Sequence, residues 1–384
     1  MRILFFSLSY PTPWQPTAAV FNRTMLQSLG PEHEIEVVAP VPWTQRLRRM
    51  SVTDRTTTTS SAPLGKARHP VYFYPPGLLR EYYGTFLWAS CRKALRRAAT
   101  QLKPDVLLAY WAHPDGEVML RAARELARPG VVIVGGSDVL ILTESARRRD
   151  AIARVLRGAD AVLTVGQTLR SRVVELGAPA ERVSAFHRGI DTDLFSPGDR
   201  LAARARLGLP MTSHIALWVG RLVAVKGLET LLVAWARLGL PGESRLCLVG
   251  DGPLRAALEA RAAGLGLGSR VSFVGTKAQK ELVDWYRAAN LTVLPSLSEG
   301  IPNVLLESLA CGTPFVASDV GGVREISVEP ERDLVPPGDS GGLAAALERK
   351  LRQGGAASLP SGFTLGESAE ALVRVLRSVA ASRA

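Results

Sequence analysis

The stretch that decides the fold is Leu294-Pro-Ser-Leu-Ser-Glu-Gly-Ile-Pro-Asn-Val-Leu-Leu-Glu-Ser-Leu-Ala-Cys-Gly-Thr-Pro-Phe-Val-Ala-Ser-Asp-Val-Gly-Gly322. An apolar run of strand length begins at Leu291, and the prolines and glycine after Leu294 prevent a smooth continuation into a helix. Pro302 suits a helix start, so the backbone N–H groups around it should point out of the carboxyl end of a sheet, where open α/β sheets bind ligands. The stretch therefore predicts strand, acidic turn, helix, strand and glycine turn, with a site for anions or hydroxyl groups at the acidic turn.

Two carboxylates in this stretch are separated by seven residues. Glu299 lies in the turn at the carboxyl end of the strand, and Glu307 lies in the helix that follows. Both side chains could face one crevice at that edge of the sheet. The alternative interpretation is that Glu299 caps the helix and that Glu307 is solvated or ion-paired.

Short apolar strands alternate with amphipathic helical segments along most of the chain. In the first half, the predicted strands are Ile3–Ser7, Ile35–Ala39, Val71–Tyr74, Val106–Tyr110, Val131–Val134, Ala161–Val165 and Val183–Phe186. In the second half, they are His214–Val219, Arg245–Val249, Val271–Val274, Leu291–Leu294, Phe315–Ala317 and Asp333–Val335. Such alternation is typical of parallel sheets with helices on both faces. The predicted fold class is therefore α/β, with two doubly wound, Rossmann-like domains.

Polar residues between the two series of strands mark a hinge. The stretch Asp191–Gly198 is rich in Asp, Pro and Gly, and a chain of 384 residues exceeds the usual limit of a single core. We expect an N-terminal domain over residues 1–195 and a C-terminal domain over residues 196–364. Residues 43–70, with a run of threonines and serines and few apolar positions, are predicted to form a long mobile loop.

Cysteine content and hydropathy indicate the cellular compartment in which the protein is expected to work. The three cysteines, Cys91, Cys247 and Cys311, are far apart and lack the spacing of a metal site or a disulfide framework, which favours a reducing compartment. The apolar run before Pro11 is too short for a signal peptide, and no apolar stretch reaches the ~18 residues of a membrane-spanning helix. We expect a cytoplasmic protein that is soluble or peripheral on the inner face of the membrane.

Basic residues are concentrated in the first half of the chain. Residues 1–190 hold 26 Lys and Arg against 15 Asp and Glu, a net charge of +11, out of +12 for the whole chain. The clusters are Arg46 with Arg48 and Arg49, Arg92 and Lys93 with Arg96 and Arg97, and Arg147–Arg149. No zinc finger, RRM signature or aromatic-interleaved basic stretch supports nucleic acid as a partner. The functional interpretation is an anionic membrane surface or an acidic acceptor, and the alternative is a solvated basic surface.

Two cations flank a turn near the start of the second domain. Arg221 and Lys226 stand in the sequence Gly-Arg-Leu-Val-Ala-Val-Lys-Gly, directly after an apolar strand. A planar guanidinium and a mobile ammonium at this spacing can converge on one diphosphate and stabilise the charge that grows on it as it leaves. The alternative is a surface arginine and a surface lysine at an ordinary turn.

The Glu-x7-Glu pattern, the Gly-Arg-x4-Lys-Gly turn and the glycine turns at Gly250 and Gly321 resemble the signature of the retaining nucleotide-sugar glycosyltransferases of family 4, the glycosyl transferases group 1. The resemblance is specific over about residues 214–326 and looser over residues 1–213. It implies the GT-B architecture, with the ligand in a cleft between the domains. It also implies a last helix, about residues 365–384, that crosses back onto the first domain.

The resemblance implies a set of donor-binding residues in the second domain. They are Arg221, Lys226, Gly250, Val274, Gly275, Gly300, Ile301, Pro302, Asn303 and Glu307. The two cations would hold the diphosphate, the turn that starts at Gly300 would hold the sugar hydroxyls with Glu299, and Glu307 would take the ribose hydroxyls. Val274 and Gly275 would lie near the nucleobase. Asp251 is a further candidate, with capping of the next helix as its alternative role.

The first domain would carry the acceptor side of the site. His113 follows a predicted strand that ends at Tyr110, and by resemblance it would lie beside the donor sugar. The alternative is a structural histidine. Ser137 and Asp138 follow the next strand in a Gly-Gly-Ser-Asp sequence that resembles family members acting in exopolysaccharide or wall-polymer assembly.

Two positions depart from the family pattern. Many relatives carry glycine in the first strand-to-helix loop, where this chain has Ala18 and Ala19. Backbone contact with the donor diphosphate would then be longer or would require loop closure. Family members commonly have Asn-Gly at the hinge, where this chain has His187-Arg188, and the role of this pair stays open.

The resemblance therefore implies a retaining glycosyltransferase that moves a sugar from a UDP-, GDP- or ADP-sugar to a glycan or lipid-linked acceptor, in cell-surface polysaccharide or glycolipid assembly. His113 and Glu299 are the expected catalytic residues, which would position the sugar and stabilise its oxocarbenium-like charge. We expect no cofactor, and no metal because no Asp-x-Asp motif lies at a plausible strand end. The alternatives are a nucleotide-sugar epimerase of the same architecture and a catalytically silent binding subunit.

Overall fold

The structure, a computed structural model, describes residues 1–13, 15–16, 18–50, 67–240 and 243–382. The chain divides into two compact units. The first unit consists of residues 1–189 with 365–384, and the second consists of residues 190–364. Each unit contains one large parallel sheet with its own hydrophobic core.

The first unit is built on a seven-stranded sheet. The strands of the whole unit, including two outside this sheet, are β1 (Arg2–Phe6), β2 (Glu34–Val38), β3 (Val41–Pro42), β4 (Ala67–Arg68), β5 (Val71–Tyr72), β6 (Val106–Tyr110), β7 (Gly130–Val134), β8 (Ala161–Thr164) and β9 (Val183–Ala185). The large sheet has the order β4-β2-β1-β6-β7-β8-β9, and β3 and β5 form a separate parallel pair. The helices are α1 (Val20–Gln27), α2 (Trp43–Met50), α3 (Tyr83–Leu102), α4 (Glu117–Leu126), α5 (Ser137–Leu140), α6 (Ala146–Gly158) and α7 (Gln167–Glu175).

The second unit is built on a six-stranded sheet. Its strands are β10 (His214–Val219), β11 (Ser244–Val249), β12 (Val271–Gly275), β13 (Leu291–Leu294), β14 (Phe315–Ser318) and β15 (Leu334–Val335). They lie in the order β12-β11-β10-β13-β14-β15, all parallel. The helices are α8 (Arg200–Leu207), α9 (Leu228–Ala236), α10 (Arg255–Gly264), α11 (Gln279–Ala288), α12 (Asn303–Ala310), α13 (Pro330–Asp333) and α14 (Ser340–Gln353).

The central strands of both sheets are continuous apolar runs. All residues of β6, β7 and β13 are buried. Burial on both faces is what parallel strands covered by helices on each side require. The predicted α/β class with two doubly wound parallel sheets is confirmed.

The last helix, α15 (Leu365–Ala381), belongs to the first unit. Leu372, Leu376 and Val379 are buried in the core of that unit, and their spacing of i, i+4 and i+7 places them on one face of the helix. Burying one leucine side chain stabilises by roughly 1.5–3 kcal/mol. This apolar face therefore contributes to holding α15 on the first unit.

The prediction of a long loop over residues 43–70 is wrong at both ends. Trp43–Met50 forms α2, and Ala67–Arg68 forms β4, which pairs with β2 at the edge of the large sheet. The strand predicted at Val71–Tyr74 extends only to Tyr72 and pairs with β3 outside the large sheet. Residues 51–66 of the predicted loop lie outside the described residues.

Each large sheet has one point at which its strand order reverses. In the first sheet, the chain builds outward from β1 to β2 and β4, and then returns to the other side of β1 with β6. In the second sheet, it builds from β10 to β11 and β12, and returns with β13. The connections after the two strands at such a switch point leave in opposite directions, and open α/β sheets bind ligands in the resulting crevice.

Candidate active site

The crevice of the second unit brings together a lysine and a glutamate from two loops. Lys226 lies in the loop after β10, and Glu299 lies in the loop after β13. The Lys226 Nζ atom is 2.6 Å from Glu299 Oε1, which also accepts a hydrogen bond of 2.6 Å from the Ser296 hydroxyl. The Lys226 side chain is 25% exposed and the Glu299 side chain 11% exposed. The switch point therefore holds a paired ammonium and carboxylate, with the ammonium still accessible.

Backbone contacts hold these two loops together. The Leu297 N–H donates to the Val225 carbonyl at 2.8 Å. Gly227 has a φ of 63°, and a Cβ atom there would lie 2.0 Å from the Pro295 carbonyl oxygen. A side chain at this position would push the loops apart, which explains the glycine next to Lys226.

A third loop, after β14, supports Glu299. The Gly322 N–H donates to the Gly300 carbonyl at 2.9 Å. A Cβ atom at Gly321, whose φ is 56°, would lie 1.9 Å from the Glu299 carbonyl oxygen. The backbone of Glu299 is therefore held by this loop, and its carboxylate is held by Lys226 and Ser296.

The residues predicted to hold sugar hydroxyls lead directly into α12. Gly300 and Ile301 are half-buried, Pro302 is buried, and the helix begins at Asn303. Pro302 stands at the N-cap and cannot cap with its side chain, and the Glu299 carboxylate accepts from Lys226 and Ser296 and, among the described residues, from no N–H group of the helix. The alternative role of Glu299 as a helix cap is therefore wrong. An uncapped first turn leaves N–H groups available to an anion or a hydroxyl.

Glu307 is 7% exposed and has a neutral partner. The Tyr286 hydroxyl donates to its Oε2 atom at 2.7 Å, and its Oε1 atom accepts no hydrogen bond from a described residue. Burial raises the pKa of the Glu307 carboxyl to about 7, against the lowering effect of the Tyr286 hydrogen bond. The alternative of a solvated or ion-paired Glu307 is therefore wrong for the described residues.

Other predicted donor-site residues lie along the same carboxyl edge. Arg221 follows β10, and its exposed guanidinium makes no hydrogen bond or ion pair with a described residue. The Gly250 N–H, after β11, donates at 2.9 Å to the carbonyl of Gly275 at the end of β12, where Val274 is half-buried. A Cβ atom at Gly250 would lie 1.8 Å from the Gly220 carbonyl oxygen. The loops after β10, β11 and β12 are thus in close backbone contact.

Asp251 does not cap the helix that follows it. Helix α10 begins at Arg255 without a side-chain cap. The Oδ1 atom of Asp251 accepts from the Gly252 N–H at 2.7 Å, and its Oδ2 atom lies 3.4 Å from Arg255 Nη1. The other terminal nitrogen of Arg255 donates to the Phe273 carbonyl at 3.1 Å. Asp251 instead helps to hold Arg255 over the end of β12.

In the first unit, His113 lies in a turn after β6 and is 2% exposed. Its Nε2 atom lies 3.5 Å from Glu117 Oε2, too far for a hydrogen bond, and has no other partner among the described residues. Burial alone would raise the pKa of the Glu117 carboxyl, but His113 and Arg121 outweigh it and lower the pKa. Trp111 has a φ of 83°, which a bulky residue rarely adopts. Backbone strain thus accompanies a buried imidazole, a combination typical of functional turns.

Two buried carboxyl groups hold the His113 turn at both ends. Asp138 Oδ2 accepts from the Ala112 N–H at 3.0 Å, and Asp115 Oδ2 accepts from the Leu8 N–H at 2.8 Å. Burial raises the pKa of the Asp115 carboxyl to about 7, and it raises the pKa of the Asp138 carboxyl as well. These bonds join the loops after β1, β6 and β7, which are adjacent strands. Asp138 and Asp115 therefore position the turn.

The remaining candidates of the first unit lie at helix starts. Ser137 is the half-buried first residue of α5. Ala18 and Ala19 precede α1, and Ala19 has a φ of 49° with no side-chain cap at the helix start. The loop thus uses at an alanine the left-handed conformation that glycine favours, at a cost of roughly 1–2 kcal/mol.

The structure brings Lys226 and Glu299 into contact, whereas Glu299 and Glu307 have separate partners. Sequence reasoning missed Tyr286 and Asp115. Each bonds to a residue distant in sequence, 21 positions away for Tyr286 and 107 for Asp115. The available signals were a tyrosine in an otherwise buried helix face and an aspartate beside a predicted site histidine.

The solved structures that resemble this chain define its fold. HepE of Anabaena in complex with UDP superimposes with a TM-score of 0.72 at 19% identity, covering 100% of this chain and 99% of that one. HepE in complex with UDP-glucose gives a TM-score of 0.68 at 20% identity, over 100% and 99%. Sucrose-phosphate synthase of Thermosynechococcus elongatus gives 0.71 at 23% identity, over 99% and 96%. At these identities the likeness establishes the fold, which is that of the GT-B glycosyltransferases.

Sequence comparison identifies the family. Residues 18–194 match the family described as Glycosyltransferase Family 4, and residues 213–353 match Glycosyl transferases group 1. A D-inositol 3-phosphate glycosyltransferase of Frankia alni is 34% identical over 299 residues, covering 70% of this chain and 72% of that protein. The chain belongs to the family 4 glycosyltransferases.

Two further relatives differ in how much of their length is matched. A protein of Bacillus subtilis strain 168 named for teichuronic acid biosynthesis, the glycosyltransferase TuaC, is 29% identical over 360 residues, covering 91% of this chain and 89% of that protein. A D-inositol 3-phosphate glycosyltransferase of Acidothermus cellulolyticus is 36% identical over 260 residues, covering 62% of this chain and 58% of that protein. The match to the Bacillus protein thus extends over nearly the whole of both chains.

Proposed function

We propose that this glycosyltransferase moves a sugar from a nucleotide-sugar donor to an acceptor hydroxyl, with retention of the anomeric configuration and without a metal ion. The observation that carries the proposal is the contact of 2.6 Å between Lys226 and Glu299 at the switch point of the second sheet. An ammonium suits a phosphate, and a carboxylate suits sugar hydroxyls. Their proximity fits a ligand in which a sugar is bonded directly to a phosphate.

In the proposed step, an acceptor hydroxyl oxygen bonds to the anomeric carbon on the face from which the diphosphate leaves. The bond between the anomeric carbon and the phosphate oxygen breaks, and the hydroxyl proton passes to an oxygen of the leaving diphosphate. Lys226 and Arg221 stabilise the negative charge on that group. Glu299 and His113 position the sugar and stabilise its oxocarbenium-like charge.

A UDP-sugar is the first donor to test. HepE, which shares this fold, was solved with UDP and with UDP-glucose. The test is thermal unfolding of the purified chain with UDP-, GDP- and ADP-sugars in the presence of EDTA. A ligand at 100 times its dissociation constant stabilises by roughly 2.7 kcal/mol, so one donor class should raise the Tm clearly. The absence of a shift with every donor class would contradict the proposal.

Product analysis separates transfer from epimerisation. Proton NMR of the donor incubated with the chain, with water as a minimal acceptor, should show a nucleoside diphosphate and a free sugar that first has the anomeric configuration of the donor. An altered nucleotide sugar without release of nucleoside diphosphate would indicate an epimerase instead. A sugar released first in the opposite configuration would overturn retention.

We also propose that the enzyme works at an anionic membrane surface, in cell-surface polysaccharide or glycolipid assembly. Five of the large apolar side chains that the first unit exposes lie between residues 47 and 82 and are here called the apolar patch. They are Leu47 (53% exposed), Phe73 (64%), Leu78 (67%), Leu79 (53%) and Tyr82 (54%). The extensive match to TuaC supports the same cellular process.

Contacts join the segments that carry the apolar patch. Trp43 of α2 stacks on Phe73 with ring centroids 6.4 Å apart, and its indole N–H donates to the Tyr74 carbonyl at 2.9 Å. Helix α2 and the segment after β5 are therefore packed together. The apolar side chains of both thus belong to one surface of the first unit.

Basic residues flank the apolar patch. The Phe73 N–H donates to the Ser90 hydroxyl of α3 at 3.1 Å. Lys93 and Arg97 are exposed and lie three and seven residues after Ser90, on the same face of α3. Apolar side chains beside lysine and arginine are typical of segments that bind the membrane interface. None of the helices in the described ranges has the length and apolarity needed to cross a bilayer.

A further inference from the structure

Arg188 lies at the switch point of the first sheet. Its guanidinium carbon is 4.4 Å from the centroid of the Phe21 ring and 5.8 Å from that of the Tyr110 ring. Phe21 is in the first turn of α1, which follows β1, and Tyr110 is the last residue of β6. Since β1 and β6 are the strands at which the order reverses, the guanidinium lies at the crevice of the first unit.

The guanidinium is held against two aromatic rings, and the described residues offer no hydrogen-bond acceptor to its Nη1 atom. Contact with two aromatic rings restrains its plane and leaves its N–H groups free for an anion. The Nη1 atom of Arg188 is buried and donates to no described residue. Burying a charged donor without an acceptor is unfavourable, so the folded chain is poised to gain from a ligand that supplies one.

Another buried arginine of this chain shows what a purely structural guanidinium does. Arg204 is 3% exposed and donates to the backbone carbonyls of Ala288, Pro210 and Met211 and to the side chain of Asn290. Its donors are satisfied within the fold. Arg188 differs from Arg204, because aromatic rings hold it and its Nη1 atom donates to none of the residues that the structure describes.

We infer that Arg188 binds a phosphate group of a substrate. The planar fork of a guanidinium matches phosphate oxygens, and a stacked arginine presents that fork without further ordering. The inference rests on the proposed function for the identity of the substrate. That function offers two sources of the phosphate, the diphosphate of the donor and the phosphate of a lipid-linked acceptor.

The test compares binding of four probes by calorimetry. UDP and uridine form the donor pair, and octyl phosphate and octanol form the acceptor pair. The variants are Arg188→Gln, Arg188→Lys and the matched control Arg128→Gln. Arg128 is exposed and lies just before β7, at the amino end of the strands, whereas Arg188 lies at their carboxyl end. The side chain of Arg128 bonds to no described residue.

Arg188→Gln should weaken binding of one phosphate probe by roughly tenfold or more and leave its neutral counterpart unchanged. A loss of affinity confined to UDP would identify the donor diphosphate as the ligand of Arg188. A loss confined to octyl phosphate would identify the phosphate of the acceptor. Arg188→Lys, which keeps the charge and the aliphatic stem, should lose less. It serves as the test variant if the glutamine variant does not fold by circular dichroism. Arg128→Gln should bind all probes as the parent chain does.

Two results would overturn the inference. One is an Arg188 variant that is folded and binds both phosphate probes as tightly as the parent chain. The other is a parent chain that binds neither phosphate probe. Product analysis keeps the two proposals apart. Sugar transfer with unchanged phosphate affinity in the Arg188 variants rejects the inference alone, and Arg188-dependent phosphate binding without sugar transfer rejects the proposed function alone.

Discussion

Single residues in the second unit show two ways of keeping a carboxylate in a crevice. Glu299 is 11% exposed and is paired with Lys226, which offsets the loss of hydration. Glu307 is also enclosed, but its partner is the neutral hydroxyl of Tyr286. Burial therefore disfavours the charged form of Glu307. A ribose hydroxyl would supply Oε1 of Glu307 with the hydrogen-bond donor that the described residues do not provide.

Glu307→Gln should change how stability depends on pH. The pKa of the Glu307 carboxyl is about 7 in the folded chain, against an ordinary value of 4.5. Between these values the folded chain retains a proton that the unfolded chain has released, so the free energy of unfolding falls as the pH rises. The glutamine variant lacks this contribution and should exceed the parent in stability above pH 7, by about 3 kcal/mol. Urea unfolding at about pH 5 and about pH 8 measures the effect.

The matched control for this experiment is Glu370→Gln, which changes an exposed glutamate that bonds to no described residue and should leave the pH dependence of stability unaltered. Nucleotide binding should weaken in the Glu307 variant, because a neutral amide oxygen accepts weaker hydrogen bonds than a carboxylate. If the Glu307 variant keeps the pH dependence of the parent chain, burial of this carboxyl does not cause the pH dependence of the free energy of unfolding.

At the scale of elements, the sequence predicted the helices and strands that have a local pattern of apolar residues. The strands with four or more apolar residues were predicted to within a few residues. Helix α2 was missed because Trp43–Met50 is mostly polar, and β4 was missed because a strand of two residues is defined by its pairing with β2 and not by a pattern of its own. Tertiary contacts, and not local sequence patterns, determine whether elements such as α2 and β4 form.

The same limit applies to the candidate site. The motifs around Lys226 and Glu299 predicted two loops at one sheet edge, and the structure places both there. The Tyr286–Glu307 hydrogen bond and the aromatic contacts of Arg188 have no local pattern, because they join residues that only the packed fold brings together. Sequence motifs therefore predicted the charged groups, and the structure supplied their neutral partners.

Gly321→Ala should disturb the Glu299 loop. An added Cβ atom would lie 1.9 Å from the Glu299 carbonyl oxygen, at a φ of 56°. Gly266 has a φ of 70° with no atom within 4 Å of the added Cβ, so Gly266→Ala imposes the backbone strain without the clash. We expect a loss of roughly 1–2 kcal/mol in the Gly266 variant and a larger loss, with weaker nucleotide binding, in the Gly321 variant. Urea unfolding and calorimetry measure both; equal nucleotide affinity in the two variants would contradict the supporting role of this turn.

At the scale of the whole molecule, the excess of positive charge lies in the first half of the chain, which also carries the apolar patch. Residues 1–190 carry +11 of the total +12, and the apolar patch lies within the same residues. Exposed charges are screened within about 8 Å at physiological ionic strength, whereas apolar contacts are not. A surface that combines both should bind anionic lipid in a salt-dependent way without losing all affinity at high salt.

Sedimentation with vesicles tests the membrane proposal. The chain should sediment with vesicles that contain phosphatidylglycerol and not with pure phosphatidylcholine. Replacing Lys93 and Arg97 with glutamine should weaken binding roughly thirtyfold, since each basic residue contributes about 1 kcal/mol near an anionic surface. Replacing Leu78 and Leu79 with serine should remove the part of the vesicle binding that persists at high salt.

The control for this experiment replaces Arg128 and Arg157 with glutamine. Both are exposed residues of the first unit outside the apolar patch, so the control removes the same charge. It should retain most of the binding. A chain that ignores anionic vesicles even at low salt would show that the basic excess is a solvated surface, and a soluble acceptor would then be the better proposal.

The central claim is that a lysine of the β10 loop, without a metal ion, holds the donor diphosphate. Its matched control is Lys350, whose Nζ atom is also 2.6 Å from a carboxylate, that of Asp333, but at the opposite edge of the sheet, where the chain enters β15. The most direct measurement is calorimetric titration in EDTA of the nucleoside diphosphate that gives the largest thermal shift. The parent chain and Lys350→Met should bind it alike, and Lys226→Met should bind it roughly tenfold more weakly or worse. Equal affinity in the parent chain and Lys226→Met, or binding by the parent only when magnesium or manganese is restored, would contradict the claim.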